Sequence, residues 1–150
     1  MKSKKTSNGY LIRLKKGEEI ISALTDFCEE NFISGASIKG IGGISECEIA
    51  YFSIKKCAYI PQNIKPNEKG EIFELLNLQG NITLLDSKVF VHAHIIIGDK
   101  DMKTFGGHLF KAIINPTCEI FLEEVKDEDG NRMMLNRKKD KETGLNLIDL

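Results

Sequence analysis

Residues 88–98 read Lys88-Val89-Phe90-Val91-His92-Ala93-His94-Ile95-Ile96-Ile97-Gly98, with only histidines interrupting the apolar run from Val89 to Ile97. Its β-branched and aromatic residues, closed by a glycine, predict a strand. The apolar part is far shorter than the about 20 residues a membrane helix needs. With a side-chain period of two, His92 and His94 fall on one face of that strand.

The flanking segments extend the pattern. Gly98-Asp99-Lys100-Asp101-Met102 predicts a hairpin, and Gly106-Gly107 precedes His108, the third and last histidine of the chain. A return strand or loop would bring His108 beside the first two, with glycines letting the backbone pass close. Upstream, 71–85 mixes alternation with continuous apolar residues, as a central strand does. Further strands are expected at 10–14, 36–44, 46–55, 57–60, 110–115 and 118–125, mostly separated by Gly, Asn, Pro or Asp.

Gly40-Ile41-Gly42-Gly43 predicts a strand that bends or bulges where another backbone approaches. It is not a dinucleotide fingerprint, because it lacks the third glycine at the right offset and opens no helix. One helix is expected after Gly17, since Ile20, Ile21, Leu24, Phe27 and Cys28 repeat at helical spacing. Glu18 and Glu19 are expected in its first turn, where carboxylates suit the dipole. Pro61 to Gly70 reads as a polar connector, 127–131 as a turn, and 136–140 as a solvated basic loop. Leu145, Leu147, Ile148 and Leu150 predict a last segment that docks. The expected class is α+β: a curled, mainly antiparallel sheet or open barrel with one main helix. Residues 1–9 are expected as a flexible lead and 10–150 as a single domain.

Composition limits the function. The 150 residues carry 21 Lys+Arg against 22 Asp+Glu, a net charge of −1, which counts against a protein that coats DNA. The N-terminus is basic and polar with no apolar region behind it, so no secretory signal is expected. Cys28, Cys47, Cys57 and Cys118 form no C-x-x-C pair and read as small reduced core residues. A cytoplasmic location is expected.

All three histidines fall between positions 92 and 108. Three converging imidazoles are a recognised zinc set that leaves a fourth position open, although neutral imidazole also suits Fe, Ni and Cu. The expected cofactor is one divalent metal per chain, zinc by preference, on His92, His94 and His108. The plainer alternative is three ordinary hydrogen-bonded histidines. Glu119, a charged residue in an apolar strand, is the candidate acid/base or orienting group, against a solvent-facing alternative. Arg13, on the first strand, is a candidate carboxylate clamp or a surface residue.

The runs Gly70 to Ile82, Val91-His92-Ala93-His94, Gly106-Gly107-His108-Leu109 and Cys118-Glu119-Ile120 together resemble the plants-and-prokaryotes conserved (PPC) domain. Ala36 to Gly42 and the Leu145-Asn146-Leu147 tail fit it too. The resemblance spans Tyr10 to Leu150, and His-x-His followed by Gly-Gly-His-Leu is its most specific part. It implies a strongly curved antiparallel sheet with one main helix, a homotrimer, and a metal on His92, His94 and His108. It also implies a fold similar to acetolactate decarboxylase, which by itself says little about reaction. Prokaryotic relatives often carry a DNA-binding label, but in plant relatives that contact comes from a separate AT-hook, which this sequence lacks. The functions that remain are a metal-dependent site for a small oxygenated molecule, a nucleic-acid or regulatory module, and a structural trimer. No membrane partner is expected.

Overall fold

Alternation of apolar and polar residues carries most of the chain into strands, and the computed structural model, which describes residues 1–150, is 61% strand. In chain order the elements are β1 (Lys2–Thr6), β2 (Gly9–Lys15), α1 (Ile20–Glu30), β3 (Ala36–Ser53), β4 (Ala58–Ile64), β5 (Phe73–Leu85), β6 (Lys88–Gly98), β7 (Thr104–Glu124), β8 (Arg137–Lys139) and β9 (Asn146–Ile148). The first seven strands form one sheet in the order β1-β2-β7-β6-β5-β3-β4. A further β7–β3 pairing curls the sheet strongly without closing it into a barrel. Every pairing between these strands is antiparallel. The α+β expectation, with one helix in a single domain, agrees with this architecture.

Side-chain parity divides the sheet into a core face and an outer face. Val91, Ala93, Ile95 and Ile97 of β6 join Leu109, Ala112 and Ile114 of β7 in a core of 26 buried residues, closed by Ile20, Leu24, Phe27 and Cys28 of α1. Burying such side chains contributes about 1.5–3 kcal/mol each before entropy is counted. The helix begins at Ile20, so contrary to expectation neither Glu18 nor Glu19 lies in its first turn. Glu19 is its N-cap, accepting from the Ile21 and Ser22 amides at 3.0 and 2.7 Å, and Glu18 lies outside the first turn. Glu19 also accepts from the Ala112 amide at 3.1 Å, which ties the helix start to β7.

Several boundaries differ from the sequence expectation for identifiable reasons. Segments 36–44 and 46–55 are one strand, because Gly40 to Gly43 is absorbed as a register shift. Likewise 110–115 and 118–125 are parts of β7, which begins early enough to include His108. Pro61 lies inside β4 rather than in a connector; β4 is the edge strand, where a missing N–H leaves no broken ladder. Residues 2–6 of the expected lead form β1, antiparallel to β2 and exposed throughout. The basic run 136–140 is not a solvated loop, since Arg137–Lys139 pairs with Asn146–Ile148 across a turn capped by Asp140. Cys28, Cys47 and Cys118 are buried, and burial pushes their thiols up to about 12, 11 and 12. Cys57 is exposed, in a left-handed conformation after the 3-10 turn Ile54–Lys56. No helix is long and apolar enough to cross a membrane.

Candidate metal centre

The site lies on the outer face of β6 and β7, opposite the helix. Because Val91, Ala93 and Ile95 face the core, His92 and His94 must face away from it. The turn at Asp99, whose carboxylate accepts from the Asp101 and Lys103 amides at 2.9 Å each, returns the chain so that His108 pairs directly with His94. The three ring centroids stand 5.3 Å (His92–His94), 5.0 Å (His92–His108) and 5.3 Å (His94–His108) apart. One ligand atom from each ring lies within 4.8 Å of the other two.

Two glycines permit this convergence. A Cβ at Gly107 would stand 2.7 Å from the Ala50 carbonyl oxygen of β3, and one at Gly80 would stand 2.1 Å from that of His92. A side chain at Gly107 would therefore push β7 away from β3, and one at Gly80 would push β6 away from β5, each shifting a strand that carries an imidazole.

The surroundings keep two of the rings neutral. Burial, then the Arg137 charge and His94, pulls His92 down to about 4. Burial, with smaller contributions from His92, His94 and Arg137, does the same for His108. His108 is 9% exposed, flanked by Tyr59 at 4.3 Å and Phe110 at 4.9 Å between ring centroids. Its Nδ1 is buried with no hydrogen-bond partner, which costs about 1–3 kcal/mol if nothing answers it. Three converging imidazoles, two of them held neutral and one of those with an orphaned nitrogen, fit a divalent cation with nitrogen preference.

A fourth side chain belongs to this centre and was missed by the sequence reading. Arg137 of β8 crosses the outer face and donates from Nη2 to His92 Nδ1 at 3.1 Å and to Asn81 Oδ1 at 2.7 Å. Its Nε donates to the fully buried Thr83 hydroxyl at 2.8 Å, and its Nη1 to the Asn146 carbonyl at 2.6 Å. The signal was an arginine among lysines, between Asn136 and a turn-forming Asp140 to Gly144 segment, with an apolar partner strand after it. The β8–β9 hairpin thereby walls a cavity of about 350 Å3 that opens onto His92 and His108.

Glu119 and Arg13 are not brought to the histidines. Glu119 follows buried Cys118 and precedes buried Ile120, so it faces outward and is exposed, near the other end of β7. It lines grooves with Ile41 and Leu76 on one side and with Arg13 on the other. Arg13 stands directly opposite it in the β2–β7 ladder.

Comparison with known proteins agrees with this fold. A Bacteroides thetaiotaomicron chain named as a candidate DNA-binding protein superposes with a TM-score of 0.85 at 34% identity, covering 99% of this chain and 96% of that one. A plant- and prokaryote-conserved protein of Pyrococcus horikoshii gives 0.82 at 35% identity, covering 100% and 98%. A metal-containing protein of Archaeoglobus fulgidus gives 0.82 at 32% identity, covering all of both chains. A Staphylococcus aureus protein similar to alpha-acetolactate decarboxylase matches at a TM-score of 0.50 and 12% identity over 78% of this chain and 53% of that one, a likeness of fold alone. No curated protein matches the sequence. The family model of the Plants and Prokaryotes Conserved (PCC) domain, the domain also abbreviated PPC, matches residues 1–126, and the chain belongs to that family.

Proposed function

We propose that the protein is a homotrimer in which each chain holds one divalent metal, preferentially zinc, on His92, His94 and His108, and there binds or transforms a small oxygenated molecule. The observation that carries this reading is the triangle of imidazoles, together with the buried, unpartnered Nδ1 of His108. Zinc held by these residues would supply Lewis acidity, able to polarise a carbonyl or to lower the pKa of a water towards about 7. The chain's own part is to present His92 and His108 as neutral rings. Tyr59 and Phe110 exclude water from His108 and fix its plane.

Assembly is supported by surface. The chain exposes 9441 Å2, against roughly 7,700 Å2 expected for a compact monomer of its mass. Ile41, Leu76, Ile96, Phe105 and Phe121 are large apolar residues left open, which suits burial against further copies.

The test is metal analysis of purified protein, before and after reconstitution with Zn, Fe, Ni or Mn, combined with light scattering. About one metal per chain and a three-chain mass are expected. Protein that takes up none of the four removes the metal reading, and a monomer removes the assembly.

Nucleic-acid binding is the second reading, favoured by the name of the Bacteroides relative and by Lys2, Lys4 and Lys5 on the exposed strand β1. A phosphate interface would lose affinity steeply with salt, and absence of binding at low salt removes it.

A further inference from the structure

Arg137 is a cation without an anion. Its guanidinium is half-buried, lies over the Phe90 ring at 5.2 Å, and is held by Thr83, Asn81, Asn146 and His92, all of them neutral acceptors. Buried arginines are ordinarily answered by a carboxylate. No Asp or Glu lines this cavity.

The hydrogen bond to His92 sharpens the point. A guanidinium can only donate, so the Nδ1 lone pair of His92 is engaged and the proton of the neutral ring sits on Nε2. A ring in that state has no lone pair free for a metal. Ligation through Nδ1 needs the lone pair that Arg137 occupies. Ligation through Nε2 needs the proton to move to Nδ1, where it faces a donor. By either nitrogen, His92 can act as a ligand only when Arg137 lets go. The released N–H, and the fifth N–H that makes no bond here, then face an acid-free cavity and need an acceptor.

We infer that the cavity takes a small carboxylate with an apolar body, its carboxylate paired with Arg137 and its hydrocarbon part against Phe90, Phe110 and Leu147. The planar fork of arginine matches a carboxylate through two parallel bonds. A single guanidinium among aromatic and aliphatic walls suits one negative charge better than the two of a phosphate monoester. The inference rests on the three-histidine reading only for the release of Arg137, since the unanswered charge is present without a metal.

The test is calorimetric titration of zinc-free and zinc-loaded protein with C3–C6 2-oxo and 2-hydroxy monocarboxylates, their methyl esters, and inorganic phosphate. Expected is binding of at least one acid about tenfold or more tighter than its ester, with phosphate weaker than the acid. R137Q should lose that preference while still taking up zinc at least as well as the wild type, because His92 is then free of its competitor. R137K keeps the charge without the fork and should fall between the two; it serves where R137Q disturbs the hairpin. Acid and ester binding alike, R137Q binding the acid like wild type, or no acid binding by about 10 mM overturns the inference. Each of those results leaves the metal reading standing if zinc still binds. Wild type that takes no zinc but keeps an Arg137-dependent preference for acids overturns the metal reading instead.

Discussion

At the His108 end of β7 the outer face is roofed by Tyr59, Phe110 and the β8–β9 hairpin, whereas at the Glu119 end the same face lies open to solvent. Both residues alternate outward from the core, on one strand and in comparable backbone. What separates them is cover supplied from elsewhere in the chain. Cover removes water from His108, keeps its ring neutral and leaves a nitrogen without a partner. Without cover, Glu119 has water for its carboxylate and faces Arg13 across the ladder. Outward position on a strand is therefore not enough to make a site; desolvation by a second layer is what gives the side chain its chemistry.

The largest expected difference between the two ends is in metal content. H108A and H92A should abolish metal uptake with the circular dichroism spectrum unchanged, while E119Q keeps about one metal per chain. Equal losses in H108A and E119Q by elemental analysis would erase the contrast.

Backbone clearance gives a second comparison. A Cβ at Gly107 meets the Ala50 oxygen at 2.7 Å, and one at Gly42, near the Glu119 end, meets the Thr117 oxygen at 2.4 Å. G107A and G42A should each destabilise the fold by about 1–3 kcal/mol in urea unfolding. Only G107A should also weaken metal binding, since it displaces β7 beside His108, whereas G42A displaces the same strand at its Glu119 end.

The metal-free protein should respond to acid through the roofed end. His92 and His108 titrate near 4 in the fold against an ordinary 6.5, so the unfolded chain takes up protons first as pH falls. Their neutral forms leave stability intact above about pH 6.5, and it is lost progressively between 6.5 and 4. Thermal unfolding across that range should show the decline, H108Q should flatten it, and E119Q should leave it in place. A decline of the same slope in H108Q would show that the roof does not desolvate the ring.

The smallest effect concerns thiols. Native protein should react with one equivalent of a thiol reagent at Cys57 and with four after unfolding, because burial keeps the other three protonated. More than one equivalent in the native state would mean the core opens readily.

Local pattern made the β6 strand, the hairpin at Asp99 and the common face of His92 and His94 legible, because each depends on residues adjacent in sequence. The pairing of His94 with His108 followed from the hairpin once its turn was recognised. Arg137 was hidden because its role depends on β8 crossing β5 and β6, far away in sequence, and a basic run looks the same whether solvated or folded back. Glu119 drew attention as a charge in an apolar strand, but such strands alternate, and Cys118 and Ile120 already occupied the inward positions. The strand breaks near Ser45 and Pro116 misled for another reason: glycines and prolines that usually end a strand are here absorbed by register shifts.

The β8–β9 hairpin lies beyond residues 1–126, the part of the chain that the family model matches. It is fastened by the Arg137 bonds and, at its base, by Leu84 to Leu135 and Leu135 to Ser34 backbone bonds of 2.7 and 3.0 Å. Few fastenings and little buried apolar area place it among the parts of a protein that open locally at low cost, well before the core does. A ligand in the cavity must raise that opening cost by mass action. The amides of residues 137–148 thus act as a clock: their exchange with solvent slows as the cavity fills, and its rate reads occupancy whether or not any reaction follows.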